Sequence, residues 1–550
     1  MTDRVDRLVF APVLVLVIIA LAIFMANTVP DPNITWDEAG QFWMSQGAGY
    51  GTSWNQPDEG LLAGLEYGRA GNILDPVGFT ALLAGWVEVF GPQPATLRTL
   101  PFLFFIGTIA VSFYLGRRTL QLPRTLSLIL PLAILTTYVT SQWATEVRNY
   151  SMELFGLLAS VVLMLRYLER PSWWRLGGLG ATLVFFSITS RYSFSLTAAA
   201  CALVILAVLW RSSSFRDHMK QFIALALTLT VTAIFLIWNI GLFRGERVWS
   251  NYVENSIRID SLTDFNSLRM LFQINFIYGW NKLTLLFIIS GLVAFSLVLR
   301  RRRSGLHTSP DPTSPNSQWL PLWLFVVLYE VFRGIANQLG GPMWNAEHRH
   351  GIALISIAII SGLAFSAMMR DLITWGFGRY AASAKSVQSR ALLVTAKSGL
   401  WIVLVALTWL AVQHFAEFRR DQEDTLAYTV PTTVASSISK EESVRWRVEA
   451  QLYPSLRYLI KKSGVPLGNF SITTAEPFST YGHDPQKFLT AMKTSDLCNV
   501  GTTTAVIAAE SAEFNKGSFD EFTEHAGAEG CEVEVVPLSE RESLLLVRES

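Results

Sequence analysis

The chain has 550 residues, 51% hydrophobic and 16% charged, with a mean hydropathy of +0.34. That balance excludes an ordinary soluble multidomain protein and indicates a polytopic membrane protein. A formal net charge of +1 gives no cationic excess for a nucleic-acid partner, and three cysteines without CxxC or Cys/His spacing give no structural zinc motif.

In chain order, Asp3, Arg4, Asp6 and Arg7 precede an apolar run from Leu8 to Ala26. At about 19 residues this run reads as an uncleaved first span, since a signal peptide carries a shorter apolar region and a small-residue cleavage site. Just beyond it stands Thr35-Trp36-Asp37-Glu38-Ala39-Gly40, two adjacent carboxylates where the span releases the chain. Taken alone, such a pair reads as a solvated loop. It begins an external loop over 27–98, roughly 70 residues and too long for a mere connector. Within that loop Gly78 to Phe90 reads as an amphipathic helix lying in the membrane interface.

Arginine-rich patches then divide the chain: Arg117-Arg118 with Arg124; Arg166, Arg170 and Arg175; Arg211, Arg216 and Lys220; Arg300 to Arg303; and Arg370 through Lys397. By the positive-inside rule all are cytoplasmic, so each apolar block between them crosses the bilayer an even number of times. Leu126 to Leu165 is expected to turn at Trp143 to Tyr150, and Leu176 to Trp210 at Ser190-Arg191-Tyr192. Phe222 to Leu299 and Leu320 to Met369 are expected hairpins, the second turning at Gly340 to His350. With spans near Pro101 to Gly116 and Leu400 to Val412, the count is about 11 crossings. The N-terminus is then cytoplasmic and the C-terminal region external.

The expected architecture is therefore an α-helical polytopic membrane domain over 1–415, followed by a soluble α/β or α+β domain over 416–550. In the latter a helix is expected from Glu441 to Lys462, with strands at Phe470 to Thr474, Thr504 to Ala508, Glu532 to Pro537 and Leu544 to Val547. Helices near Pro485 to Met492 and Glu510 to Phe514 would alternate with them. Cys201 falls in an apolar run, whereas Cys498 and Cys531 could pair in an oxidising compartment. Tyr481, His483 and Asp484 read as a solvated surface loop rather than a glycan site.

This topology gathers ionisable residues on the outer turns: Asp37, Glu38, Arg98, Glu146, Arg148, Glu153, Arg191, Arg333, Glu347, His348, Arg349 and His350. Charges near membrane depth tend to face a cavity or one another. Structural ion pairs would explain any single residue. Several outer turns each bearing a cation, beside a carboxylate loop, point instead to an anion-binding pocket where a carboxylate deprotonates a hydroxyl and arginines stabilise a departing phosphate.

The order of features resembles the glycosyltransferase C (GT-C) superfamily, in the bacterial branch similar to protein mannosyltransferases, aminoarabinose transferases and rhizobial galacturonosyl transferases. The matching pieces are Thr35-Trp36-Asp37-Glu38-Ala39; Leu74-Asp75-Pro76-Val77-Gly78 through Gly91; and Ala95-Thr-Leu-Arg98-Thr-Leu-Pro101. Glu146-Val-Arg148-Asn-Tyr150 resembles the family's Glu-Ala-Arg-Pro-Tyr segment, Thr189-Ser-Arg191-Tyr192 its basic-Tyr turn, and Glu347-His-Arg349-His350 stands near its Arg-Tyr motif. Asp75-Pro76-Val77 departs from the usual His-Pro-Pro, and His350 stands where Tyr is usual.

The resemblance implies a sugar transferred from a polyprenyl-phosphate donor, on the external face of the inner membrane, to a lipid, glycan or protein acceptor. It implies Asp37 as catalytic base with Glu38 as companion and Glu146 as a second acidic residue. Arg98, Arg148, Tyr150, Arg191, Tyr192, His348, Arg349 and His350 would surround the donor phosphate. No cofactor is required, although Asp37, Glu38 and His350 could contribute ligands to a divalent metal. A lipid transporter or flippase is the rival reading, weakened by the lack of an internal repeat, and a non-catalytic scaffold for envelope glycan assembly is another.

Overall fold

The computed structural model describes residues 2–29, 36–46, 78–120, 144–210, 215–242, 319–340 and 530–537, the strands 444–449, 470–475, 503–509 and 542–549, and isolated positions between them. The chain divides into two compact units. One comprises Met1–Ala26, Ile73–Phe79 and Thr99–Phe418; the other comprises Asn27–Asn72, Thr80–Arg98 and Arg419–Ser550.

The described helices are α1 (Thr2–Thr28), α2 (Trp36–Ser45), α3 (Gly78–Phe90), α4 (Pro94–Tyr114), α5 (Tyr150–Glu169), α6 (Trp173–Thr189), α7 (Phe194–Trp210), α8 (Phe215–Leu242) and α9 (Trp319–Gly340). Three described segments, 94–119, 150–169 and 218–237, are long and apolar enough to cross a bilayer, and shorter apolar helices accompany them. Helix α4 starts at a proline whose missing N–H would have no helical partner there, and it ends in a π-turn, Leu115–Thr119, carrying Arg117 and Arg118. The second parts of the hairpins expected over Phe222 to Leu299 and Leu320 to Met369, and the span at Leu400 to Val412, lie outside the described residues.

Helix α5 is the centre of its unit. Side chains all round it are buried, among them Leu157, Leu158, Val161, Met164 and Tyr167, which is the pattern of a helix surrounded by others. It packs against α6, α7 and α9, while α8 lies against α6 and α7. Gly156 allows α5 and α6 to approach closely, because a Cβ there would collide with the ring of Phe186. The outer helices bury one stripe and expose another. In α1, Val17, Ala20 and Phe24 are buried, with Phe24 against Phe102 and Phe105, whereas Ile18, Ile19 and Ile23 are exposed. In α8, Ile223, Leu227, Val231 and Ile234 form an exposed apolar stripe at helical spacing, which suits hydrocarbon and not water.

Helix α3 spans the residues its sequence predicts. Phe79, Thr80, Leu83, Ala84 and Val87 are buried, one stripe at a 3.6-residue period, and Val89 and Phe90 are exposed. Gly91, at φ +88°, closes it with an N–H donated to the Val87 carbonyl at 2.7 Å, a left-handed cap that glycine adopts without strain.

Five described strands, β1 (Val444–Glu449), β2 (Phe470–Ala475), β3 (Thr503–Ala509), β4 (Cys531–Pro537) and β5 (Glu542–Glu549), form one mixed sheet in the order β2-β1-β3-β5-β4. β1 runs parallel to β2 and β3; β5 is antiparallel to β3 and β4. Four of these strands fall where the sequence places them. Over 444–449, β1 replaces part of the helix expected from Glu441 to Lys462, the remainder of which lies outside the described residues: Val444, Trp446 and Val448 alternate with Arg445, Arg447 and Glu449, a period of two that suits a pleated strand. The helices expected near Pro485 and Glu510 lie outside the described residues. Cys531 is buried and disulfide-bonded, Cys201 is a buried free thiol, and Cys498 lies outside the described residues.

Candidate active site

The Asp37-Glu38 pair does not sit in a solvated loop. Both residues belong to the first turn of the helix α2. Ala39, Phe42, Trp43 and Met44 are buried along the same helix, and Ile34 is buried just before it. Glu38 is only 2% exposed and is held by Arg98. The Arg98 Nε donates to Oε1 at 2.9 Å and Nη2 to Oε2 at 2.8 Å, a bidentate and buried ion pair. Three residues along α2, Gln41 Nε2 donates to Thr80 Oγ1 of α3 at 2.9 Å. Trp86 Nε1 of α3 donates to the Thr96 carbonyl at 2.8 Å, tying α3 to the start of α4. Side-chain bonds thus fix α2, α3 and the start of α4 to one another. The side chain of Asp37 lies outside the described residues.

A second cluster forms where α5 begins and where α6 passes into α7. Glu146 and Arg148 are half-buried in the turn before α5, with the Arg148 N–H donating to the Glu146 carbonyl at 2.6 Å. Tyr150, the first residue of α5, is buried, and two guanidiniums lie over its ring: Arg148 at 5.6 Å from the centroid and Arg191 at 5.1 Å. Arg191 is itself 7% exposed, and Tyr192 beside it is half-buried. The helix–turn–helix expected around Ser190-Arg191-Tyr192 is present, α7 opening with N–H groups of Phe194, Ser195 and Leu196 donating to the carbonyls of Arg191, Tyr192 and Ser193.

Two residues not assigned to the site by sequence complete this cluster. Glu153, on α5 and 4% exposed, accepts a hydrogen bond from Ser193 Oγ at 2.5 Å. Asn149 Nδ2 donates to the Ser190 carbonyl at 3.0 Å. The signal available was weak: Glu153 counts among the outer charges, but its partner is 40 residues away.

Of the residues assigned from sequence, Arg148, Tyr150 and Arg191 are brought together, and Glu38 is joined to Arg98. His348, Arg349 and His350 lie outside the described residues, as does the side chain of Arg333. Among the described residues no group of three His, Cys, Asp or Glu side chains comes together as a metal site would require.

The fold these helices define is like that of the solved structures of ArnT. The chain is similar over 98% of its length to 98% of ArnT from Cupriavidus metallidurans in the apo state, with a TM-score of 0.53 and 12% identity. It is similar over the same shares to ArnT bound to undecaprenyl phosphate, with a TM-score of 0.51 and 12% identity. An oligosaccharyltransferase from Archaeoglobus fulgidus, in complex with Zn and sulfate, aligns with 92% of this chain and 69% of its own at a TM-score of 0.41 and 11% identity. No protein-family model matches the chain, and no curated protein matches it in sequence.

Proposed function

We propose that this chain is a membrane-embedded glycosyltransferase that moves a sugar from a polyprenyl-phosphate donor to an extracytoplasmic acceptor, whether lipid, glycan or protein. The observation that carries this reading is the convergence of the Arg148 and Arg191 guanidiniums on the buried Tyr150 ring. Two cations held near one ring raise the local positive potential, which favours an anion there. A lipid phosphate suits such a place, because its charge grows as the sugar departs. ArnT, which shares the fold, binds undecaprenyl phosphate.

The reaction is a single displacement with inversion. Asp37 takes the proton of the acceptor hydroxyl, the acceptor oxygen bonds to the anomeric carbon, and the bond from that carbon to the phosphate oxygen breaks. Polyprenyl phosphate leaves with the electron pair, stabilised by Arg148 and Arg191, with Tyr192, His348, Arg349 and His350 completing the donor contacts. Glu146 serves as the second acidic residue. Arg98 takes a different part from the one its motif suggests: turned to Glu38, it holds the first turn of α2 and so the base beside it. Hydrocarbon around the lipid tail excludes water that would otherwise hydrolyse the donor. The topology is multi-pass in the inner membrane with a cytoplasmic N-terminus, and residues 416–550 form an extracytoplasmic domain.

The test is incubation of purified protein with radiolabelled polyprenyl-phosphate sugars and membrane extract. Label is expected in a lipid, glycan or protein product, with polyprenyl phosphate released. If labelled lipid merely exchanges between leaflets of proteoliposomes and no product acquires label, the chain is a flippase and this reading is wrong.

A further inference from the structure

Asn149 occupies the residue before α5, the position where an asparagine side chain ordinarily accepts a hydrogen bond from the helix's own first N–H groups. It makes no such cap. Its Nδ2 donates instead to the carbonyl of Ser190, the residue that closes α6. Its Oδ1 is buried with no hydrogen-bond partner among the described residues. Giving up the cap forgoes about 1 kcal/mol, and leaving a buried acceptor unmet costs about 1–3 kcal/mol. Local stability at the start of α5 is thus sacrificed to hold the 190–193 turn. Glu153, one turn further along α5, holds the other side of that turn through Ser193 Oγ. Arg191 lies between the two attachment points, and its guanidinium rests over Tyr150, on the helix that supplies both.

We propose that Glu153 and Asn149 are positioning residues for the donor site, a two-point staple that holds the 190–193 turn so that Arg191 is aimed at the lipid phosphate before donor arrives. Neither touches the reacting atoms. The inference rests on the reading of Arg191 as a phosphate ligand. Prepositioning matters because a guanidinium on a free turn would have to be ordered at each binding event, which weakens donor binding and, since Arg191 also stabilises the departing phosphate, slows the chemical step.

The test measures donor KM and kcat, with binding of undecaprenyl phosphate alone, for Glu153→Ala, Glu153→Gln, Ser193→Ala, Asn149→Ala and Arg191→Ala in detergent-solubilised protein. Glu153→Ala and Ser193→Ala should each raise donor KM and weaken lipid binding by about tenfold, the scale of one buried hydrogen bond, with kcat lowered as well. The Glu153→Ala/Ser193→Ala double variant should be no worse than Glu153→Ala alone, because the Ser193 hydroxyl acts through its bond to Glu153. Glu153→Gln keeps an acceptor oxygen and should restore most of the donor affinity. Asn149→Ala should act in the same direction. If Arg191→Ala weakens donor binding while the Glu153 and Ser193 variants leave it unchanged, the staple is refuted and the phosphate site stands. If Arg191→Ala is also without effect, the phosphate reading falls and the staple with it. A loss of thermal stability with donor KM and lipid binding unchanged marks a purely structural contact and refutes the proposal. Ser193→Ala, which removes a single oxygen, keeps the test decisive should Glu153→Ala fail to fold.

Discussion

Arg98 holds both carboxylate oxygens of Glu38 across 60 positions of sequence, and both side chains are buried. A buried ion pair adds little net stability over an apolar pair, but removing one partner strands the other charge and costs about 3–5 kcal/mol. Arg98→Leu and Glu38→Leu should each lower the melting temperature in detergent sharply. The double variant should recover most of the loss. A double variant as unstable as the two single losses combined would mean that the two residues act separately.

Asp37 is placed by its chain neighbour. Because Glu38 is anchored, the backbone of the first turn of α2 has little freedom, and the adjacent residue inherits that order. Asp37→Asn should lower sugar transfer by about 10²–10⁴, the usual contribution of a general base, with expression and melting temperature intact. Full activity in that variant would remove Asp37 from the mechanism.

Gly156 is a point of close approach of α5 to α6, since a Cβ there would overlap the near side of the Phe186 ring and not a mobile tip. Gly156→Val should destabilise by about 1–3 kcal/mol through overpacking. Combining it with Phe186→Leu should restore part of the loss. Thermal unfolding of the four proteins measures this, and equal stability of Gly156→Val and the parent would contradict the packing.

The three cysteines should separate by accessibility. Cys531 should react with a maleimide only after reduction, because it is disulfide-bonded. Cys201, buried among α7 side chains, should react without reductant once the helices are unfolded and not before. Peptide mapping of the labelled protein reads both outcomes, and labelling of Cys531 in the unreduced native protein would refute the bond.

Regular periodicity made part of this architecture legible in sequence. The stripe of Phe79, Leu83 and Val87 marks α3 to the residue, and the arginine patches bracket the turn between α6 and α7. Helix α2 was not recognised because it is only ten residues long and its polar residues Glu38, Gln41 and Ser45, although at helical spacing, read as a loop when their burial is not visible. The strand β1 was hidden because arginine, tryptophan and glutamate are acceptable in helices, and only its alternation separates the two. Within the site, residue types pointed to Arg148, Tyr150 and Arg191. Their supports were not readable, since the bonds from Glu153 to Ser193 and from Asn149 to Ser190 join segments 40 and 41 residues apart.

The strand order β2-β1-β3-β5-β4 sets a timetable for folding. β4 and β5 are neighbours both in sequence and in the sheet, so their antiparallel pairing closes a short loop and forms early. β1 must wait for strands that follow it at a distance, and its parallel partners on both sides demand crossovers. The unpaired edges of β1 are therefore exposed longest. A chaperone that shields β-strand edges, supplied during refolding, should help this part of the chain more than it helps the helices.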